Sequence, residues 1–359
     1  MDKPDAPKIL RNPYLEWVAK ENLPVVEDFG VDLFNVETRP WPRLGGRGAA
    51  IHLKGRGDFC NMFLLDIPAG GATAPQRHLY EEVVYVLAGR GSTTIEAGDG
   101  YTHTFEWGPN SLFAVPLNTG HRHFNGSGAE RALLVSTTTL PLVLNLFHNE
   151  AFVFGNDWEF AERIGKPGYF LGEGDATSVG QNHLWETNFL PDVAAIKLED
   201  YSARGEGSRN LKLLLADGTM HAHISEMPVG TYKKAHRHRA GVHVICITGH
   251  GYTLLWYERD QDFHRVDWRY GTVYVPPDQM FHQHFNLSAT PSRYLAIGLG
   301  SNRYPFTEGA RKTKTGGSTT SVKQGGDQIE YEDQSPRIHR LYQEEMKQTG
   351  VEIRMPGLT

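Results

Sequence analysis

Two stretches of this chain repeat one another at almost constant spacing, and any fold assigned to it must accommodate that repeat. "GGATAPQRHLYEEVVYVLAGRGSTTI" (70–95) and "GTYKKAHRHRAGVHVICITGHGYTLL" (230–255) place Gly70, His78, Gly89 and Gly91 against Gly230, His238, Gly249 and Gly251, 160 residues apart. "PLNTGHRHFN" (116–125) and "PDQMFHQHFN" (277–286) repeat at 161, with Pro, His, His, Phe and Asn in the same order. Two blocks at nearly one offset point to duplication of a whole domain. A length of 359 residues agrees, being long for a single core. The expected organisation is a first domain with a helical extension over 1–150, a linker over 151–200, a second domain over 201–301, and a loop and helix over 302–359.

Each half reads as strands. "EEVVYVLAGRGSTTIEA" and "HVICITGHGYTLLWY" are rich in β-branched and aromatic residues, break at a G-x-G turn and resume, as hairpins do. "HTFEWGPNSLFAVPL" and "HRVDWRYGTVYVPP" repeat the pattern and stop at proline, which suits a strand end. Many short strands with Gly and Pro turns imply an all-β barrel or sandwich. Helix signals sit at the margins: Asn12 and Pro13 open one helix over 12–22, while Ser335, Pro336 and Gly350 bound another over 335–350. The basic, Gly/Ser/Thr-rich stretch 308–328 has no periodicity and is expected to be a flexible loop.

Charge and cysteine content narrow the partners. A formal charge of −6 without a basic face argues against nucleic acid, so a small-molecule partner is expected. Cys60 and Cys246 form no framework and suit a reducing cytoplasm. The N-terminal segment has no apolar core of a secretory signal, and no apolar run is long enough for a bilayer. A strand-rich chain has edges to cover, which leaves homo-oligomerisation open.

The chemistry concentrates in "KKAHRHRAGVHVI" (233–245). Histidines one residue apart on a strand share a face, and a third from a neighbouring strand completes a facial metal site. His236, His238 and His282 make that set. His243 is a fourth candidate if a bulge at Gly241 turns it inward, whereas an ungapped overlay puts Val242 opposite Glu82. In the first half Gln76 replaces the first histidine and leaves His78, Glu82 and His121, either a two-histidine, one-carboxylate site or a remnant kept for packing. His221 and His223, the aromatics Trp256, Tyr257, Trp268 and Tyr270, and Arg237, Arg239 and Arg259 read as core or surface residues with a secondary claim to line a cavity.

Both blocks resemble the two motifs of the cupin superfamily, G-x5-H-x-H-x(3,4)-E-x6-G and G-x5-P-x-G-x2-H-x3-N. The resemblance implies two tandem cupin (double-stranded β-helix) barrels with short peripheral helices and a metal inside. It assigns His236, His238 and His282 as ligands and leaves the glutamate position to His243 or to no residue. The "AHRH" run and the H-x-H before Asn286 also resemble the gentisate and salicylate type of ring-cleaving bicupin dioxygenase, which implies histidine-only ligands and His284 as an acid/base. The expected activity is a dioxygenase with Fe(II), or with Mn(II), Ni(II) or Zn(II), acting on a small aromatic or oxygenated carboxylate-like compound. The alternatives are a non-oxidative decarboxylase, isomerase or lyase, and a non-enzymatic binding bicupin.

Overall fold

The computed structural model describes residues 10–96, 100–305 and 319–355. Its strands form two barrels of the same plan. The first combines a large sheet, in which Gly46–Ile51, Asn61–Ile67, Ala132–Thr138, Glu82–Ala88 and Leu112–Val115 are successive neighbours, with a small sheet of Gly120–Asn125, Gly91–Glu96 and Thr102–Trp107. The second repeats it with Arg209–Leu215, Met220–Met227, Ser292–Leu299, His243–Thr248 and Thr272–Tyr274 against His264–Arg269, His250–Trp256, Phe281–Asn286 and Ala235–His236. The fold is all-β, two tandem cupin barrels with short helices at the periphery.

Strand alternation decides what faces where. In Asn61–Ile67, Met62 and Leu64 point out of the first barrel; in Met220–Met227, Met220, Ala222 and Ile224 point out of the second. These outer faces pack back to back into one apolar core that also takes Val83, Tyr85, Ile245 and Ile297. The inner face of the first barrel is apolar too, with Phe63, Leu65, Phe113 and Leu134. At the matching positions the second barrel carries His223, Ser225, Tyr274 and Tyr294: Leu134 faces Leu65 across its ladder, as Tyr294 faces Ser225.

Each barrel closes a sheet edge with a strand from outside it. Gly30–Asp32, N-terminal to the first barrel, pairs with Thr272–Tyr274 of the second, and Phe189–Leu190 pairs with Leu112–Val115 of the first. Covered edges cannot pair with other chains.

The helix Pro13–Glu21 starts at Asn12, whose side chain accepts from the Leu15 amide at 3.0 Å. The helix Pro336–Thr349 starts at Ser335, ends at Gly350 (φ 69°), and lays Ile338, Tyr342 and Met346 on the second barrel. Two further helices, Leu140–Phe147 and Glu150–Gly155, follow the first barrel; their short, nearly all-apolar sequences gave no amphipathic signal. Residues 308–318 of the expected loop lie outside the described residues, while Val322–Gln324 forms a 3-10 turn and Gln328–Ile329 a strand beside Ala235–His236. No helix among the described residues is long and apolar enough to cross a membrane.

The two G-x-G turns differ from ordinary hairpin glycines in their crowding. A Cβ on Gly251 would sit 1.9 Å from the Phe285 carbonyl oxygen and 2.8 Å from the Trp268 ring, whereas one on Gly128 meets nothing within 4 Å. Gly251→Ala is therefore expected to destabilise the protein by about 1–3 kcal/mol and Gly128→Ala by less than about 0.5 kcal/mol, as read from urea denaturation midpoints.

Candidate metal centre

The second barrel gathers His236, His238 and His282. His236 and His282 are cross-strand partners with ring centroids 4.0 Å apart, and His238, just past its strand, lies 4.5 Å from His282. One ligand atom from each lies within 4.8 Å of the others. The Nδ1–H groups of His238 and His282 donate to the carbonyls of Arg239 (2.7 Å) and Met280 (3.2 Å). A carbonyl can only accept, so each Nε2 keeps a free lone pair, the state a metal requires. His236 Nδ1 is buried without a partner. Burial pushes all three imidazoles below their ordinary range, and the Arg204 charge adds to this at His236, so the set is neutral.

The first barrel gathers a second set. His78 Nε2 is 3.1 Å and His121 Nε2 3.5 Å from the same oxygen of Glu82, all three residues being buried. The Nδ1–H groups of His78 and His121 donate to the carbonyls of Tyr80 and Thr119 at 2.9 and 3.2 Å. With Nδ1 protonated, the two Nε2 lone pairs and a carboxylate oxygen can converge on one ion, at separations close to the ~3 Å between adjacent ligands ~2.1 Å from a common ion. Burial alone would raise Glu82, but a proton on His78 Nε2 in place of an ion, with help from His121 and His123, brings it down to about 2. Ser136 holds the other carboxylate oxygen. Gln76 turns away, its amide donating to the carbonyls of Arg43 and Ala74 at 2.9 and 3.1 Å. Either set fits a divalent transition metal, one with a carboxylate and one without.

His243 lies outside both sets. It shares its strand face with Ile245 and Ile247, which belong to the core between the barrels, while Val244 and Cys246 face the second barrel's interior. Gly241 takes a positive φ of 91° without turning His243 inward, so Val242 occupies the place that Glu82 holds in the other barrel. His243 Nδ1 is 3.3 Å from the Gly241 carbonyl, and burial takes its pKa down to about 4.

His284 sits beside the triad, its ring 5.5 Å from that of His282. The Trp268 indole donates to Thr253 Oγ1 (3.1 Å), whose hydroxyl proton is free for His284 Nδ1 (2.9 Å); the Tyr274 hydroxyl is also 2.9 Å from that nitrogen. With Thr253 donating to it, Nδ1 is the acceptor and the proton resides on Nε2. The first barrel contains the same relay, from Trp107 through Thr93 to His123, with Phe113 in place of Tyr274.

The sequence reading missed the cations around this site. Lys233 is fully buried, its ammonium donating to Ser225 Oγ at 2.5 Å, and Arg204, also buried, is held by Gln328 at 3.1 Å. Burial depresses both cations, and an anion beside Lys233 would relieve a standing cost. Lys233 carried a signal, as a charge three residues before the first ligand on an inward run; Arg204 carried none. Arg237 is tied to Asp327 and Glu258, and the Tyr270 hydroxyl donates to the Leu87 carbonyl, so neither lines the chamber.

A family model of the cupin domain matches residues 63–137, the heart of the first barrel, and the second barrel reproduces that barrel strand for strand. The chain thus contains a cupin domain and has the fold of two tandem cupin barrels. No curated protein matches its sequence. The chain is similar in fold to Lactobacillus farciminis oxalate decarboxylase in its formate complex, with 13% identity and a TM-score of 0.51 over 77% of this chain and 87% of that one. It is similar also to a point mutant of Bacillus subtilis oxalate decarboxylase, with 15% identity and a TM-score of 0.50 over 84% and 86% of the two chains.

If both sets bind metal, the reconstituted protein will hold two equivalents per chain by elemental mass spectrometry. His282→Ala and Glu82→Gln are each expected to lose one, and His243→Ala neither.

Proposed function

We propose that the second barrel is the reaction chamber of a metal-dependent enzyme that transforms a small carboxylate without consuming dioxygen, as a decarboxylase, isomerase or lyase. The observation that carries this reading is a neutral three-histidine face beside buried Lys233 and Arg204, in a barrel whose twin is filled with apolar side chains. Neutral ligands leave the whole charge of an ion uncompensated, and the neighbouring cations add to it. The chamber is therefore complementary to an anion and to further negative charge developing on it. Dioxygen, being uncharged, gains nothing from those cations.

His236, His238 and His282 would hold the metal, Mn(II) or Fe(II) being suited to such a set. When bound it supplies Lewis-acid stabilisation of negative charge on substrate oxygens. Lys233 orients the carboxylate from the side opposite its Ser225 contact, with Arg204 adding charge behind it. His284 keeps its proton on Nε2 and acts as a donor to the reacting group, because its Nδ1 is occupied by hydroxyl donors. That role differs from a general base, which would need a free Nε2 lone pair. The fold neighbours are named as oxalate decarboxylases, which agrees with carboxylate chemistry of this kind.

The all-histidine set also suits the dioxygenase reading that the H-x-H resemblance implies, and oxygen dependence separates the two. Metal-reconstituted protein should convert a small carboxylate under nitrogen, followed by NMR, at the rate seen in air. Lys233→Met should lower kcat/KM by roughly ten- to a hundredfold, the worth of one charge-assisted hydrogen bond. Turnover that occurs only in air, with stoichiometric oxygen uptake, would establish the dioxygenase instead.

A further inference from the structure

One charged side chain inside the second barrel has no place in the chemistry above. Lys212 lies in the strand Arg209–Leu215, where Leu211, Leu213 and Leu215 face the core between the barrels and Lys212 faces the barrel interior. It is the cross-strand partner of His223. The corresponding position in the first barrel is Ala50, paired with Phe63 and packed in that barrel's apolar filling. Lys212 has neither a hydrogen bond nor an ion pair among the described residues. The carboxylates nearest the chamber's other cations are already engaged, Glu226 by Arg293 at 2.7 Å and Glu330 by Lys234 at 2.5 Å.

An inward lysine without a counter-ion costs stability unless something anionic visits it. Three side chains with polar groups link it to the metal face. His223 stacks on His221 at 5.7 Å and lies 6.2 Å from Tyr294, which is 5.0 Å from His284, next to the triad. His221 Nδ1 is buried without a partner. Lys212 comes from the large sheet, while His236 and His282 come from the small one, so the two ends face each other across a barrel whose sheets stand about 10 Å apart.

We propose that Lys212, flanked by His221 and His223, is a second anion subsite, so that the chamber takes a small dicarboxylate with one acidic group at the His236–His238–His282 face and the other at Lys212. The proposal rests on the carboxylate reading of the triad and adds the substrate's second charge.

The test is titration calorimetry of metal-reconstituted, full-length protein with oxalate, malonate, succinate and glutarate, and with acetate as the single-charge control. The wild type should bind one or more of the dicarboxylates at least tenfold more tightly than acetate, and Lys212→Met should collapse that ratio to near one. Lys212→Arg should keep most of it, which a merely structural role for the lysine stem would not require. An unchanged ratio in Lys212→Met, or a wild type that binds acetate as tightly as every dicarboxylate, would overturn the second subsite while leaving the carboxylate reading in place. A wild type that binds no carboxylate at all would overturn both.

Discussion

The apolar core between the two barrels is the constraint from which the rest of the site follows. Met220, Ala222 and Ile224 of the second barrel meet Met62 and Leu64 of the first, and each of the methionine, isoleucine and leucine side chains contributes roughly 1.5–3 kcal/mol by leaving water. A slip of one residue in Met220–Met227 would move those side chains inward and drive His221, His223 and Ser225 into the inter-barrel core. The outer face thus fixes the inner one. Lys212 points into the chamber because Leu211 and Leu213 cannot leave the interface, and His243 is excluded because Ile245 and Ile247 cannot either.

The same dependence explains which parts of the site were legible in the sequence. The alternation of His236 and His238 and the offset to His282 stand out, because polar residues at period two are rare in buried strands. His243 sits in "GVHVICI", where both faces are apolar, so the pattern alone does not say which face looks inward. The repeat did hold the answer: without a gap it puts Glu82 opposite Val242, the alignment that the strand registers follow. Lys212 was readable as a charge alternating with leucines in "NLKLLL", though only knowledge of the second apolar layer makes such a charge an interior one. Arg204 and Gln328 were beyond reach. Their contact joins residues 124 apart, through a two-residue strand beside His236 that carries no propensity signal.

That last contact gives the C-terminal segment a part in the chamber. Gln328 pairs through its backbone with His236 and receives Arg204 on its side-chain oxygen, while its amide donates to the Ala203 carbonyl and to Glu330. Farther on, Tyr342 donates to the carbonyl of Asn286 and His339 meets Tyr232. A segment outside both repeats therefore supports one of the three ligands and the buried arginine together. Duplication of a barrel supplied the scaffold, and the unrepeated tail completes one copy of it.

The two donor sets differ in a way that matches their surroundings. The first barrel's interior is apolar, with Phe63, Leu65 and Phe113 on its inner face, and a divalent ion placed there would have little but its ligands to compensate its charge. Glu82, held ionised by His78 and His121, provides that compensation from within the set. In the second barrel Val242 stands at the position of Glu82, and Lys233, Arg204 and Lys212 bring positive charge to the interior. A carboxylate ligand there would cancel the attraction that these cations exert on an anion entering the chamber. Replacing it with an apolar residue leaves that compensation to the visitor, so that binding an anion and balancing the site become one event. The absent carboxylate and the buried cations of the second barrel are then two parts of one electrostatic arrangement, the one on which the proposed function rests.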